Sequence, residues 1–393
     1  MSILRRLLHD QDEEVRSGFP RGLPYWNVPN TKAGQVVTPE NAARSAAVTA
    51  CQRVLTTTVA SLPVEAVLMS GTSRLEVDPQ PQLVVTPSGS VRRRTWVAQI
   101  MKSLVSEGNA YGQVTTFDGR GFPTHIETLH YRNVSWLKTP SGLKPHVDGK
   151  ERDLWPLGDV VHIPASPFVQ PGSPVADSPI ELAKNAIGTG LAAEEFGARF
   201  FGDGYHPTAV VTSDQDLNEE QATKIKQVVN TMRQNREPGV FGSGLSVNFP
   251  EVNPSDSQFI DLMRFEVEQA CRFFGVPPSM AYAAVSGQNV TYANVTSADL
   301  QYLKHSVGIW LLDIEDAWSS WLPNGQVVKF NVDGLLRMDA AGRHELYQLR
   351  LRNKTMSVND VHTLEDEPPV DDPDFDLPGV PGGAPPALSG GMP

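Results

Sequence analysis

Downstream of Asp177-Ser178-Pro179, small residues recur at Ala183, Ala186, Gly190, Ala193 and Gly197. The intervals are three, four, three and four, which keeps all five on one narrow stripe of a helix predicted over 178–202. Bulky Ile180, Ile187, Leu191 and Phe200 lie off that stripe. A stripe of nearly bare backbone lets a second helix approach closely, and dispersion rewards the contact. Glycine inside a helix costs about 1 kcal/mol relative to alanine, so Gly190 and Gly197 call for a packing reason. Two partners satisfy it: the sheet of the helix's own domain, or the same helix in a neighbouring copy within a ring.

A chain of 393 residues exceeds one simple core, so two or three structural regions are expected. The formal net charge of −12 excludes binding to nucleic acid through a broadly basic surface. It is compatible with a protein past which DNA slides without being gripped. Cys51 and Cys271 are far apart and show no CxxC spacing, which argues against a disulfide framework or a cysteine zinc site and fits a reducing compartment. The N-terminus is too short and too charged for a signal peptide, and no run approaches the length needed to span a bilayer. The expectation is a chain with no membrane segment.

Residues 1–37 read as an N-terminal arm. A helix is expected from Thr38-Pro39-Glu40 to Leu62, stopped by Pro63, then a strand over Val64–Met69 and a helix over Trp96–Glu107. Strands follow at Asn109–Thr116, His125–Leu137 and Asp159–Ile163, giving an α+β region over 38–170. After the striped helix come a strand at Thr208–Thr212, a capped helix to about Gln234 and a strand at Leu245–Phe249. This strand–helix–strand unit separates the striped helix from a helix over Ser257–Phe274. The polar stretch Ser286-Gly287-Gln288-Asn289-Val290-Thr291 leads into a helix predicted over Tyr292–Leu322. A strand at Val327–Phe330 and a helix near Ala340–Leu351 close the folded part, and the acidic, Pro/Gly-rich tail from Asp366 reads as disordered.

No phosphate loop, HExxH or GxSxG occurs. The glycines at 239–244 lack a following lysine and read as a turn. Asp203, Tyr205 and His206 cluster after a helix end, without metal-ligand spacing. Arg92-Arg93-Arg94 reads as a solvated helix entry or a salt-bridge patch for a partner, with a DNA contact as the sharper alternative. Trp310, Trp318 and Trp321 at helical spacing read as core or subunit interface rather than a ligand cage. No catalytic residue, metal or cofactor is predicted.

Several short motifs, in this order, resemble the portal proteins of tailed double-stranded DNA bacteriophages. They are Gly108-Asn109-Ala110-Tyr111, Asp177-Ser178-Pro179-Ile180, Phe274-Gly275-Val276-Pro277-Pro278 and Ser357-Val358-Asn359-Asp360-Val361. Thr291-Tyr292-Ala293-Asn294 and Leu336-Arg337-Met338-Asp339 are similar too. The resemblance covers roughly residues 38–370. The family often carries a proline near the position of Gly308, and Asn-Glu-Val-Arg where this chain has Asn359-Asp360-Val361-His362.

The resemblance implies a homo-oligomeric ring, usually of twelve subunits, at one capsid vertex of the virion, assembled in the host cytoplasm. Double-stranded DNA would pass through its channel. The major capsid protein, the terminase large subunit and head-completion adaptor or tail proteins would dock on it. It implies an α+β wing (38–177), stem helices (178–202 and 257–278), a clip (203–256), a channel loop (279–291), a long helix with wing return (292–334) and a helical crown (335–365), ahead of the tail (366–393). On this reading Ser286, Gly287, Gln288, Asn289 and Thr291 face DNA, and Ala183, Ala186, Gly190, Ala193 and Gly197 pack stem helices between subunits. The portal is a conduit, not an enzyme. Another connector ring of the head–tail joint, or a hydrolase with an unrecognised site, are the alternatives.

Overall fold

The structure is a computed structural model. It describes residues 31–70, 73–139, 142–202, 210–213, 218–235, 244–248, 256–281, 300–332, 340–365, 367–371 and 373–378. The chain divides into two compact units, one formed by 1–289 with 301–330, the other by 290–300 with 331–393.

The first unit opens with α1 (Pro39–Ala42), capped by the Thr38 hydroxyl, which accepts from the Asn41 amide. The single helix expected from Thr38 to Leu62 is in fact two. Ser45 is extended, and α2 (Ala46–Ser61) starts afresh. Strands β1 (Val64–Ser70) and β2 (Ser73–Glu76) form a hairpin, followed by α3 (Gln82–Val85) and α4 (Arg93–Glu107). Gly108 ends α4 in the left-handed conformation that glycine adopts without penalty.

Next come β3 (Asn109–Phe117) and β4 (Pro123–Leu129). The strand expected over His125–Leu137 is interrupted. Its continuation bends through a 3-10 turn at Tyr131–Asn133, where the His130 ring accepts the Arg132 amide, and resumes as β5 (Val134–Thr139). β5 belongs to a different sheet, with β6 (Gly142–Val147) and β7 (Lys150–Glu151). β8 (Val160–Pro164) returns to β3, giving the sheet β4-β3-β8.

Trp96 and Trp318 anchor one core, with ring centroids 4.8 Å apart and both side chains fully enclosed. Trp96 donates its indole N–H to the Ile126 carbonyl at 2.8 Å, so burial costs it no hydrogen bond. A second core gathers Tyr111, Val134, Trp136, Val147, Val160 and Val175 between the two neighbouring sheets. The three tryptophans at 310, 318 and 321 are all buried, as core side chains.

The striped segment is also two helices. α5 (Pro179–Leu182) is capped by Ser178, Ala183 leaves helical geometry, and α6 runs Lys184–Gly202. β9 (Val210–Ser213) and β10 (Leu245–Asn248) pair antiparallel around α7 (Glu219–Asn235), in the expected strand–helix–strand order. α8 (Asp256–Phe274) stops at Gly275, whose φ of 67° needs glycine. From Gln301 the helical backbone passes through a π-helical turn, Leu303–Val307, into α9 (Gly308–Ser320). The part of the predicted helix before Leu300 lies outside the described residues. β11 (Gln326–Phe330) pairs antiparallel with β1, Val64 opposite Phe330. Buried Glu315 on α9 secures that return. It accepts from the Phe330 amide at 2.8 Å and pairs with Lys329 at 2.6 Å.

The second unit contains α10 (Ala340–Arg352) and α11 (Val358–Leu364). Ser357 and Asp360 form a reciprocal capping box at the start of α11. The tail is not structureless from Asp366. Asn359 donates to the Val370 carbonyl and to Asp376, and accepts from the Val370 amide, which folds residues 367–378 back along α11. The sequence pattern missed this because the anchor precedes the tail.

Candidate assembly and channel surfaces

Two of the quoted motifs meet in space. The Asn109 side chain donates to the Ala176 carbonyl at 2.8 Å and accepts the Ala176 amide at 3.1 Å. The Ser178 hydroxyl donates to the Ser106 carbonyl at 2.9 Å. Gly108 lies under the Asp177 backbone, where a Cβ would sit 2.4 Å from the Asp177 oxygen. This junction fixes the start of α5 against the end of α4. A third motif works alike: the Ser306 hydroxyl caps the Gly275 carbonyl and ties the end of α8 to the π-helical turn. The motifs thus serve as joints in the scaffold.

Beside the first joint lies a buried carboxylate that sequence reasoning missed. Glu107 is 2% exposed and its Oε1 has no hydrogen-bond partner. Burial first, then the nearby charge of Glu40, push its pKa up to about 8, partly countered by Arg132. His162 is its opposite. It stacks on Tyr111 with centroids 4.7 Å apart, and burial pushes its pKa down to about 3. Both groups are therefore neutral in the folded chain near neutrality. The folded state holds a proton on Glu107 that the unfolded chain releases above about 4.5, so stability is lost as pH rises from about 4.5 to 8. Buried, neutral His162 has the opposite slope up to about pH 6.5, so Glu107→Gln is expected to remove the fall in stability between about pH 6.5 and 8, and an unchanged slope there contradicts the assignment.

The small-residue stripe does part of its packing within the subunit. α6 packs on α8, and Ala183, Ala193 and Gly197 are buried. Gly190 is half-buried, with Glu266 of α8 at 3.5 Å from where a Cβ would point. Ala186 is exposed. The groove between α2, α6 and α8 is lined by Ala46, Ala186, Gly190, Met263 and Phe273 among others. Gly188, off the stripe, is tighter than Gly190: a Cβ there would lie 2.8 Å from Thr31. It admits the segment that runs along α6 through Lys32–Asn185 and Gln35–Glu195 hydrogen bonds. Only a chain partner 157 positions upstream explains it, so no local pattern reveals it.

The long helices expose apolar side chains. Leu182 on α5, Phe196 on α6 and Leu262 and Phe265 on α8 are 41–53% exposed. α7 is exposed on nearly all sides, Val228 included, and its N-terminus is closed by Asn218 and Gln221 bonding reciprocally. Ser286, Gly287, Gln288, Asn289 and Thr291 lie outside the described residues, as do Asp203, Tyr205 and His206. Arg93 reaches the carbonyls of Val64 and Val84, while Arg92 and Arg94 are exposed. Among the described residues, no group of acidic, histidine or cysteine side chains could hold a metal ion, and no helix is long and apolar enough to cross a membrane.

Residues 46–366 match the phage portal protein family. A probable portal protein of Streptomyces phage phiC31 is 29% identical over 383 residues, covering 91% of this chain and 82% of that one. The portal protein of Enterobacteria phage HK97 is 24% identical over 202 residues, about half of each chain. Among solved structures, an HK97-family phage portal protein from Corynebacterium diphtheriae superposes with a TM-score of 0.59 at 18% identity, over 77% of this chain and 97% of that one. A chain from the neck of a native gene transfer agent particle, solved with C12 symmetry, superposes at 0.53 with 16% identity, over 88% and 99%. The α+β fold is shared with these structures, and the chain belongs to the phage portal protein family.

Proposed function

We propose that this portal protein assembles into a ring of about twelve copies at one vertex of a virion capsid and forms the channel for genome packaging and ejection. The observation that carries the reading is the exposed apolar surface on the stem segment and α8, Leu182, Phe196, Leu262 and Phe265. Large apolar side chains left about half-exposed along packed helices are candidates for burial against a neighbouring copy. The relative from a particle neck solved with C12 symmetry supports the number. Closed rings use one heterologous contact repeated at every interface. On this reading α6 meets the chain's own α8 on one side and a neighbouring copy on the other.

Ala186 gives the cleanest test, because it is exposed in the single chain. Gly190 already borders Glu266, so a large residue there would also strain the subunit. Ala186→Trp is expected to leave the thermal melt of the subunit unchanged and to deplete the ring. Overpacking costs about 1–3 kcal/mol per site, repeated around the ring. Size-exclusion chromatography with light scattering reads the result; an intact ring population removes this face from the interface.

The clip, 203–256, would dock the terminase large subunit during packaging and head-completion adaptor or tail proteins afterwards. Its support is α7, exposed on nearly every side and so open to partners. Replacing 210–248 by a short glycine linker is expected to abolish capture of the terminase large subunit, and retained capture refutes it. Nucleotide hydrolysis then belongs to the terminase, and this chain acts as a non-enzymatic conduit, with the major capsid protein around it. Assembly in the host cytoplasm fits the same reading.

A further inference from the structure

Cys51 on α2 and Cys271 on α8 are 220 positions apart, yet their sulfurs lie 3.8 Å from each other. Both are free thiols and both are buried. They sit where α2 packs on α8, three residues before α8 ends at Phe274. We propose that Cys51 and Cys271 are a redox-modification site, a dithiol that a peroxide oxidises to an intrachain disulfide joining α2 to α8.

The geometry favours pairing over any other fate. In the folded chain each sulfur has the other as its neighbour at hydrogen-bond range, with the Cys51 thiol donating to Cys271. That donated proton holds the Cys271 thiol below its ordinary value, while the same bond, with burial, pushes Cys51 up. Cys271 is therefore the sulfur that ionises and attacks the oxidant. Hydrogen peroxide transfers one oxygen to the Cys271 thiolate, giving a sulfenic acid; the departing hydroxide takes up a proton and leaves as water. The Cys51 sulfur then attacks the Cys271 sulfur, the S–O bond breaks, and the hydroxyl departs as a second water with the Cys51 proton. Two thiols and one peroxide become one disulfide and two waters. The disulfide requires the sulfurs to close from 3.8 Å to the bonded distance of about 2.05 Å.

The crosslink fastens the end of α8, from which Gly275-Val276-Pro277-Pro278 leads towards residues 279–291. It closes a long loop and so restricts the unfolded chain strongly. The dithiol belongs to a reducing compartment and the disulfide to an oxidising one.

The test uses the full-length wild-type chain, reduced, freed of reductant and titrated with hydrogen peroxide. After acid quenching, intact mass should fall by two hydrogens, and free thiols measured in denaturant should drop from both to none. Peptide mapping should join the Cys51 peptide to the Cys271 peptide of the same chain. The melting temperature should rise by several degrees, return on adding dithiothreitol, and stay unmoved by peroxide in Cys271→Ala. Two persisting thiols, a crosslink between chains, or sulfinic acid without a crosslink overturns the proposal. The wild-type mass and peptide map decide it even where the alanine variant fails to fold.

Discussion

Gly108→Val is expected to leave little or no folded subunit. Gly108 holds φ at 71°, where a β-branched residue is an outlier. Strain of this kind costs of order 1–3 kcal/mol. A Cβ would also lie 2.4 Å from the Asp177 carbonyl oxygen and 3.2 Å from its carbon, a backbone that cannot move aside cheaply. Asp177 is held by its amide on the Phe168 carbonyl and by Gln170 on its carboxylate, each at 2.8 Å. Gly108 is held in turn, accepting the Ala165 amide at 2.7 Å. The joint must therefore open, releasing the Asn109–Ala176 and Ser178–Ser106 bonds. A loss of more than about 4 kcal/mol follows, a large share of the stability of an ordinary domain. Urea denaturation measures it, with Gly108→Ala as the milder partner. An alanine variant within about 1 kcal/mol of wild type shows that the joint is softer than described.

The second large effect concerns DNA transit. We expect Gln288→Lys with Asn289→Lys to leave the ring assembled and to cut the yield of filled particles at least tenfold. The stretch Ser286–Thr291 carries amides, hydroxyls and Gly287, and no charge. Such groups touch phosphates weakly and let go, whereas added lysines bind by releasing counterions. Each phosphate contact adds a slope of about 0.9 to the logarithmic dependence of affinity on salt. Two new charges per subunit, summed around a ring, would hold a duplex that has to slide. The defect should accordingly lessen as salt rises in an in vitro packaging assay. Normal packaging and retention of DNA by the double mutant rules out the channel-loop role.

How much of this was legible depended on distance along the chain. Thr38, Ser178 and Ser357 as caps, and Gly108 and Gly275 as helix ends, all act within a few residues, and the sequence carries their signals openly. The strand–helix–strand order of β9, α7 and β10 was readable for the same reason. Breaks at Ser45 and Ala183 were not, because neither residue forbids helix; tertiary packing decides there. The bend at Tyr131–Asn133 hides in a run with good strand propensity, and only the assignment of β4 and β5 to separate sheets shows it.

The stripe was half legible. Its period announced a close helix partner, and the chain supplies one in α8. Which side of the helix stays uncovered in the single chain is written in the exposure of Leu182, Ala186 and Phe196, a property of the folded chain. The pairing of Cys51 with Cys271, Gly188 with Thr31, and β1 with β11 are contacts between distant segments with no local signature.

The central claim is that the folded chain is one segment of a closed ring. Native mass measurement of the purified full-length protein tests it most directly. A closed ring gives a discrete species near twelve times the 42.9 kDa subunit, persisting on dilution. A monomer or dimer at every protein and salt concentration tried, with the subunit folded, would contradict it.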